Sequence, residues 1–418
     1  MKEYRAKQKR AQAKNDQSGQ VTLPAQLPIE ELMAGSRADI ETFAAELGLK
    51  IIRRVMEAEV QKKVGPWGQQ AAYRHGQQSG YVIFGGRKVK VPRPRVRSAE
   101  GKELGLSSYA AFQQKGKMQE AVARQLIRQC STRDYEGAID GCLKGYGIKR
   151  SSVSRHWKAA TAKEMQQLME RAVPKDLLVL MIDSKFFGGD CVVAAIGIDG
   201  QGRKHVLGLW HGATENATVV KGLLEDLVSR GLPTEQKLLV VIDGAKALRK
   251  AVQIVLGAQA VVQRCRVHKL RNVVEQLPKE KQAQARWRIQ GAWAQKNAQR
   301  AEQELRKTAR WLEDSWPMAA NSLLEGLEET LTVQRLGLPA LLCRILSSTN
   351  IIENCFERVA HQARRVKRWH GARMILRWSA SALLRAEKNF KRIRGCEQMQ
   401  HLEKSLRSLE TITTLEAA

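Results

Sequence analysis

The sequence lacks any apolar run long enough to span a bilayer. The longest, such as Leu177–Ile182, fall far short of the roughly 20 residues required. The first residues, with Lys2, Arg5, Lys7, Lys9 and Arg10, include no apolar h-region, so no secretory signal is expected. The seven cysteines are odd in number and contain no CxxC pair, which argues against a disulfide framework and for a reduced, cytoplasmic chain. Acidic residues are also scarce. Against 71 Lys and Arg stand 42 Asp and Glu, a formal net charge of +29. Such an excess calls for a polyanionic partner, and with no membrane anchor the expected partner is nucleic acid. What is present suffices for a folded protein: 418 residues, 43% of them hydrophobic, exclude wholesale disorder and leave room for several domains.

The pattern divides the chain into seven stretches. Residues 1–28 are polar, basic and aperiodic, and read as a disordered arm. Residues 29–116 begin with apolar positions at helical spacing (Ile40, Phe43, Leu47, Ile51, Val55), which predicts one or two helices. They continue into a Gly- and Pro-rich segment whose alternation at Val82-Ile83-Phe84 and Val89-Lys90-Val91 predicts a small β-element laden with cations. Within 117–172, a capped start at Ser131, a break at Gly145-Tyr146-Gly147 and a second helix from Ser151 fit a helix-turn-helix, although an ordinary helical hairpin fits as well. The basic neighbours Lys149, Arg150 and Lys158 favour DNA contact, with Ser152, Ser154 and Arg155 on the same helix. Residues 173–276 carry the first part of a catalytic domain. A helical insertion at 277–340, its final helices at 341–395 and a C-terminal tail at 396–418 follow.

The segment from Leu177 is the most informative. Leu177–Ile182 reads as a buried strand ending in Asp183. Two further strands, Cys191–Ile198 and Arg203–Trp210, are joined by Asp199-Gly200-Gln201-Gly202, a hairpin signal. A helix follows, then the strand Leu238–Ile242 ending in Asp243, and then helix, short strand and helix. The order β-β-β-α-β-α-β-α is that of an α/β, mixed-sheet, ribonuclease-H-like fold. There the first and fourth strands are neighbours, so Asp183 and Asp243 can converge. Asp190 and Asp199 are better explained as turn formers. A third acid is expected from a later helix. Past Ser348-Thr349-Asn350, one apolar face (Ile352, Phe356, Val359, Ala363, Val366) runs beside a polar stripe of Glu353, Glu357, His361, Arg364 and Arg368. Such a stripe suits a metal at one end and a phosphate backbone along the rest. A plainly solvated face has the same pattern.

These residues resemble the Mutator-type transposases of bacterial insertion sequences. The resemblance rests on Asp183 with its hairpin, Gly208-Leu209-Trp210, Val240-Val241-Ile242-Asp243-Gly244 and Gln263-Arg264-Cys265-Arg266-Val267-His268 with Arg271-Asn272. It also rests on Ser348-Thr349-Asn350-Ile351-Ile352-Glu353 and, upstream, on Met56-Glu57-Ala58-Glu59, Tyr73-Arg74-His75-Gly76 and Val91-Pro92-Arg93. Each piece is short, but their order and spacing are specific and cover most of the chain. The resemblance implies a DDE transposase whose Asp183, Asp243 and Glu353 hold two Mg²⁺ ions, with Mn²⁺ as a substitute, and an all-α insertion before the Glu. Cys265 and His268 match the family's Cys-x2-His signature. A lone pair lacks the four ligands of structural zinc, so a structural or orienting role is expected. Asp183 is followed by Ser184-Lys185-Phe186, where relatives often differ.

Residues 361–395 hold eleven Lys and Arg, among them Arg364, Arg365, Lys367 and Arg368, against the single acid Glu387. A sequence-independent phosphate contact is the natural role of that patch. Trp369 and Trp378, like Trp287, Trp293, Trp311 and Trp316 in the insertion, are expected to pack rather than stack on bases. The reading is a transposase that binds terminal inverted repeats, hydrolyses the phosphodiester at the element end and transfers the freed 3′-hydroxyl to a target strand. Holding two ends together calls for a homodimer or larger assembly. A DNA-binding regulator derived from a transposase would keep the charge and the helix-turn-helix without needing the triad.

Overall fold

In a computed structural model of the chain, the described residues are 37–66, 72–84, 87–114, 116, 119–120, 122–123, 150–364 and 366–417. They form two compact units, one from the described residues up to 120 and one from 122–123 and 150 onward. The arm at 1–28 and the first helix and turn of the expected helix-turn-helix lie outside the described residues.

In the first unit, helix α1 (Arg37–Val64) precedes a ribbon of β1 (Ala72–Phe84) and β2 (Arg87–Ser98), a short β3 (Glu103–Leu104) and helix α2 (Ser107–Phe112). The expected β-element is present, and Val82 pairs with Val89 beside its turn. The apolar stripe of α1 is displaced by one position from the expected one. Ile52, Met56 and Val60 are buried against the ribbon's Val82, Val89, Val91 and Val96, whereas Ile51 and Val55 are exposed. Two apolar stripes lie side by side on this helix, and only packing selects between them. Gly48 is required here, since a Cβ would fall 2.5 Å from the Phe84 ring.

The second unit opens with α3 (Arg150–Glu170) and is built on a five-stranded sheet of order β6-β5-β4-β7-β8. Strands β4 (Leu177–Phe187), β5 (Asp190–Asp199) and β6 (Lys204–Gly212) pair antiparallel. After helix α4 (Ala217–Ser229), β7 (Leu238–Ile242) joins β4 in parallel, and after α5 (Lys246–Leu256), β8 (Ala260–Arg264) joins β7 in parallel. The strands read as continuous apolar runs because both faces of the sheet are covered. Leu177, Leu180 and Ile182 face α4 and α5, while Val179 and Met181 face a core shared with the C-terminal helices. Strand β4 continues to Phe187, so Asp183 lies inside a strand rather than at its end.

Helices α6 (Arg266–Glu275), α7 (Lys279–Trp293), α8 (Ala298–Glu313) and α9 (Pro317–Leu324) enclose an apolar cluster of their own. Trp293, Trp311 and Trp316 pack against it, as expected. Trp287 does not: it is 76% exposed. Helix α7 buries Ala285, Ile289 and Ala292, and position 287 falls on the opposite side. Short helices α10 (Thr332–Arg335) and α11 (Ala340–Leu346) return the chain to the sheet. Helices α12 (Asn350–Ala363), α13 (Ala372–Glu387) and α14 (Met399–Ala417) complete the unit. On α12 the expected face, Ile352, Phe356, Val359 and Ala363, is buried. The helix ends at Ala363, so Arg368 lies beyond it and the polar stripe within the helix stops at His361.

Candidate active site

The strand register brings three adjacent strands level. Ile182 pairs with Ile242, and Ile242 pairs with Arg264. The next residue on each strand is Asp183, Asp243 and Cys265. The backbone N–H of Cys265 extends the ladder to the Ile242 carbonyl at 2.7 Å. Two carboxylates far apart in sequence thus emerge on one edge of the sheet, with a thiol beside them.

Glu353 approaches from the first turn of α12. Thr349, the residue that caps this helix, donates its hydroxyl to Glu353 Oε1 at 2.8 Å. The same hydroxyl lies 3.3 Å from Cys265 Sγ and 3.4 Å from His268 Nδ1, and the Thr349 N–H donates to that sulfur at 3.4 Å. His268, in the first turn of α6, sits 3.8 Å from Glu353 Oε1. The Arg266 N–H donates to the Ser347 carbonyl at 2.9 Å, tying the start of α6 to the loop before α12. Cys265 is fully buried at this junction, and it locks together the two helix starts that carry His268 and Glu353.

The charges in this corner are not balanced. Asp183 is buried, and burial pushes its carboxyl up to about 7. The Ser184 N–H and nearby His268 work against that shift, while Asp243 and Glu353 add to it. The thiol–imidazole hydrogen bond with Cys265 lifts His268 to about 9 despite its burial, with Glu353 and Asp183 adding to the rise. Burial would raise the Cys265 thiol, but hydrogen bonds with His268 and Thr349 outweigh it and leave the thiol lowered. Asp243 uses Oδ1 to accept the Ala245 N–H at 2.8 Å, ahead of α5. Asp199 behaves as the turn former it was expected to be, accepting the N–H groups of Gln201 and Arg203 on Oδ1.

A fourth acid stands at this corner, and the sequence reading did not single it out. Glu215, just before the Asn216 cap of α4, is raised by burial and by Asp243, and lowered by a hydrogen bond with the Ser184 side chain. Its Oε1 is buried with no hydrogen-bond partner. An acid one residue ahead of a helix cap is too common a pattern to have marked it. Next to Asp243, a cavity of about 470 Å³ is lined by Lys246, Arg249, Lys250 and Arg264, with Glu329 paired to Arg249 and Glu325 to Arg264.

As for metal ligands, the one group of three among the described residues whose ligand atoms all fall within 4.8 Å is Cys265, His268 and Glu353. Thr349 is hydrogen-bonded among them, and three ligands fall one short of the four of structural zinc. Asp183, Asp243 and Glu353 offer hard oxygens at the same corner. They interact electrostatically but are more widely spaced.

The expected DNA contacts fall in two places. On α3, Arg155 and Lys158 are exposed and Ser152 and Ser154 half-buried, while Val153 and Trp157 face inward. The Trp157 ring meets Trp378 of α13 at 4.6 Å, so Trp378 packs rather than waits for a base. Arg150 begins α3, but its side chain is not described. Past α12, Arg364, Lys367 and Arg368 are exposed, and Arg365 lies outside the described residues. Trp369 packs on Phe187 at 6.3 Å. Glu387, the single acid of this basic stretch, grips Arg171 at 2.8 and 2.9 Å and accepts the Val206 N–H.

Residues 29–392 match the family described as Transposase, Mutator family. Among similar proteins is the transposase for insertion sequence element IST2 of Acidithiobacillus ferrooxidans, 29% identical over 61% of this chain and 87% of the relative. Another is the transposase for element ISRM5 of Rhizobium meliloti, 26% identical over 81% of this chain and 86% of the relative. A third, for element IS905 of Lactococcus lactis, is 25% identical over 66% of this chain and 70% of its own length. With the matched region spanning both units and every residue of the carboxylate corner, the chain belongs to the Mutator family of transposases.

Proposed function

We propose that this transposase cleaves and rejoins DNA at a ribonuclease-H-like sheet edge where Asp183, Asp243 and Glu353 hold divalent metal. The observation that carries the reading is the register Ile182–Ile242, which sets two carboxylates side by side at the point that Glu353 reaches from α12. A buried carboxyl raised to about 7 among like charges is a donor set short of cations. Hard oxygens suit Mg²⁺, with Mn²⁺ able to replace it. Two such ions, when bound, would activate the attacking oxygen and stabilise the leaving one.

The chain's own residues do the rest. Thr349 and His268 hold the Glu353 carboxylate in place, and Cys265 fixes the junction that carries both. The site's basic surroundings hold a phosphodiester against three carboxylates that would otherwise repel it. Hydrolysis at the end of the element frees a 3′-hydroxyl, whose attack on a target strand completes transfer. Arg150, Ser152, Ser154, Arg155 and Lys158, on the second helix of a helix-turn-helix, read the terminal inverted repeats. Arg364, Arg365, Lys367 and Arg368 contact phosphates without regard to sequence. Two ends held at once require a homodimer or larger assembly.

The test is cleavage of a labelled duplex carrying the element's end, with Mg²⁺ or with EDTA, by wild type and Asp183→Asn. Nicking at the end that needs metal and disappears in the variant is the expected result. Tight end binding with no cleavage under any metal would favour a DNA-binding regulator instead.

A further inference from the structure

Between α12 and α13 lies a groove of about 930 Å³ that none of the steps above uses. Its depth is apolar: Cys355, Ala382 and Ala386 are buried there, with Ile351 and Phe390 beside them. Its sides are cationic, with Lys204, Arg358, Arg385 and Lys391 against one carboxylate, Glu357. The Lys204 ammonium stands 5.1 Å over the Phe390 ring. Amide groups lie among these residues, and the Gln362 Nε2 in the wall is buried with no hydrogen-bond partner. Helix α12 carries Glu353 at the carboxylate corner and Glu357 in the groove, one turn apart on the same side.

This mixture of chemistries narrows the occupant. Duplex DNA offers a protein groove its phosphates and sugars while its base faces remain stacked inside. Cations alone would serve it, and an apolar floor would go unused. An unpaired nucleotide offers both parts at once: a flat π-face for an apolar slot, and a phosphate for the cations around it. Base edges supply acceptors for an orphaned amide donor such as Gln362 Nε2. The volume falls in the ~300–1,000 Å³ range usual for ligand sites. The charge is of the right sign, and the groove begins one helical turn from Glu353.

We infer that this groove binds an unpaired nucleotide of the DNA strand next to the cleavage point, its base against Cys355, Ala382, Ala386 and Phe390 and its phosphate toward Lys204 and Lys391. The inference rests on the DNA-cleaving reading for the identity of the polymer, but its test does not depend on cleavage. Taking a nucleotide out of the stack beside the reacting phosphate would fix the strand's register in the site and cost a few kcal/mol of stacking, to be recovered in the groove.

The experiment uses the full chain in EDTA. Fluorescence anisotropy measures its affinity for a labelled single strand of about eight mixed nucleotides, and for an abasic strand of equal length and charge. Wild type should bind the base-bearing strand roughly tenfold more tightly, in line with stacking of one base. Asn354→Leu, at the exposed mouth of the groove, and Phe390→Ala should each bring the base-bearing strand close to the abasic one while leaving abasic binding unchanged. Lys391→Gln should weaken both strands alike. Equal affinity for the two strands in wild type would overturn the inference, as would a base preference that survives both groove variants. The cleavage reading stands or falls separately, on the metal dependence of Asp183→Asn.

Discussion

Two carboxylates, half-buried Glu59 in one unit and buried Asp183 in the other, are treated in opposite ways. Glu59 of α1 accepts four hydrogen bonds, from the N–H and hydroxyl groups of Ser107 and Ser108 at 2.5–2.9 Å. Burial opposes its ionisation, but the Ser108 and Ser107 donors prevail and hold it at about 2. Asp183 is buried with one backbone donor, and burial, with Asp243 and Glu353 adding to it, raises it to about 7. The first acid is satisfied by its own chain and ties α2 to α1. The second is left short of positive charge, which is what a site waiting for a cation requires. Family resemblance draws attention to both positions, yet only their surroundings separate the one that fastens from the one proposed to react.

The sharpest way to break this contrast is to neutralise the acids of the proposed triad. Asp243→Asn and Glu353→Gln should each lower cleavage by roughly three orders of magnitude or more, with end binding in EDTA nearly unchanged. Cleavage retained by Glu353→Gln would move the third role to Glu357, one turn further along α12.

The second prediction concerns stability without metal. For Asp183 the folded value, about 7, lies above the unfolded one of 3.8. Its contribution is therefore fully present below pH about 4 and is lost as pH rises to about 7. Asp183→Asn should accordingly stabilise the metal-free protein by roughly 4 kcal/mol at pH 8 and by little at pH 4, read by denaturant unfolding in EDTA. Equal effects at both pH values would mean that the acid is not strained by its neighbours.

A smaller effect is expected from Glu215. Glu215→Gln keeps the shape and removes a charge beside Asp243, and should raise the Mg²⁺ concentration for half-maximal cleavage about tenfold. An unchanged metal requirement would reduce Glu215 to a partner of Ser184.

The smallest effect belongs to Glu59. Its folded value is depressed, so its contribution is present above pH about 4.5 and is lost as pH falls toward 2. Glu59→Gln should cost about 1–2 kcal/mol at pH 7 after allowance for solvent screening, with the difference fading in acid. A loss that does not fade would assign the cost to packing instead.

Much of this was legible in the residues. Continuous apolar runs and the hairpin between Asp199 and Gly202 announced the strands, because a strand covered on both faces is built mostly from apolar residues. The order of elements then brought β4 beside β7, and with them Asp183 and Asp243. The apolar face of α12 was equally plain, since Ile352, Phe356, Val359 and Ala363 repeat at helical spacing.

Other features depended on contacts that no local pattern records. The choice between Ile51/Val55 and Ile52/Met56 on α1 is made by the ribbon that packs there. Trp287 belongs to the outer side of α7, although its composition resembles that of its buried neighbours. The role of Thr349, which read only as a helix cap, comes from its hydroxyl lying among Cys265, His268 and Glu353, residues that different loops deliver. The sequence by itself determined the elements, the charge and which carboxylates could meet, because periodicity and composition are properties of neighbours along a chain. The tertiary structure alone decided which acids are satisfied and which are left wanting, because desolvation and hydrogen bonding are properties of neighbours in space.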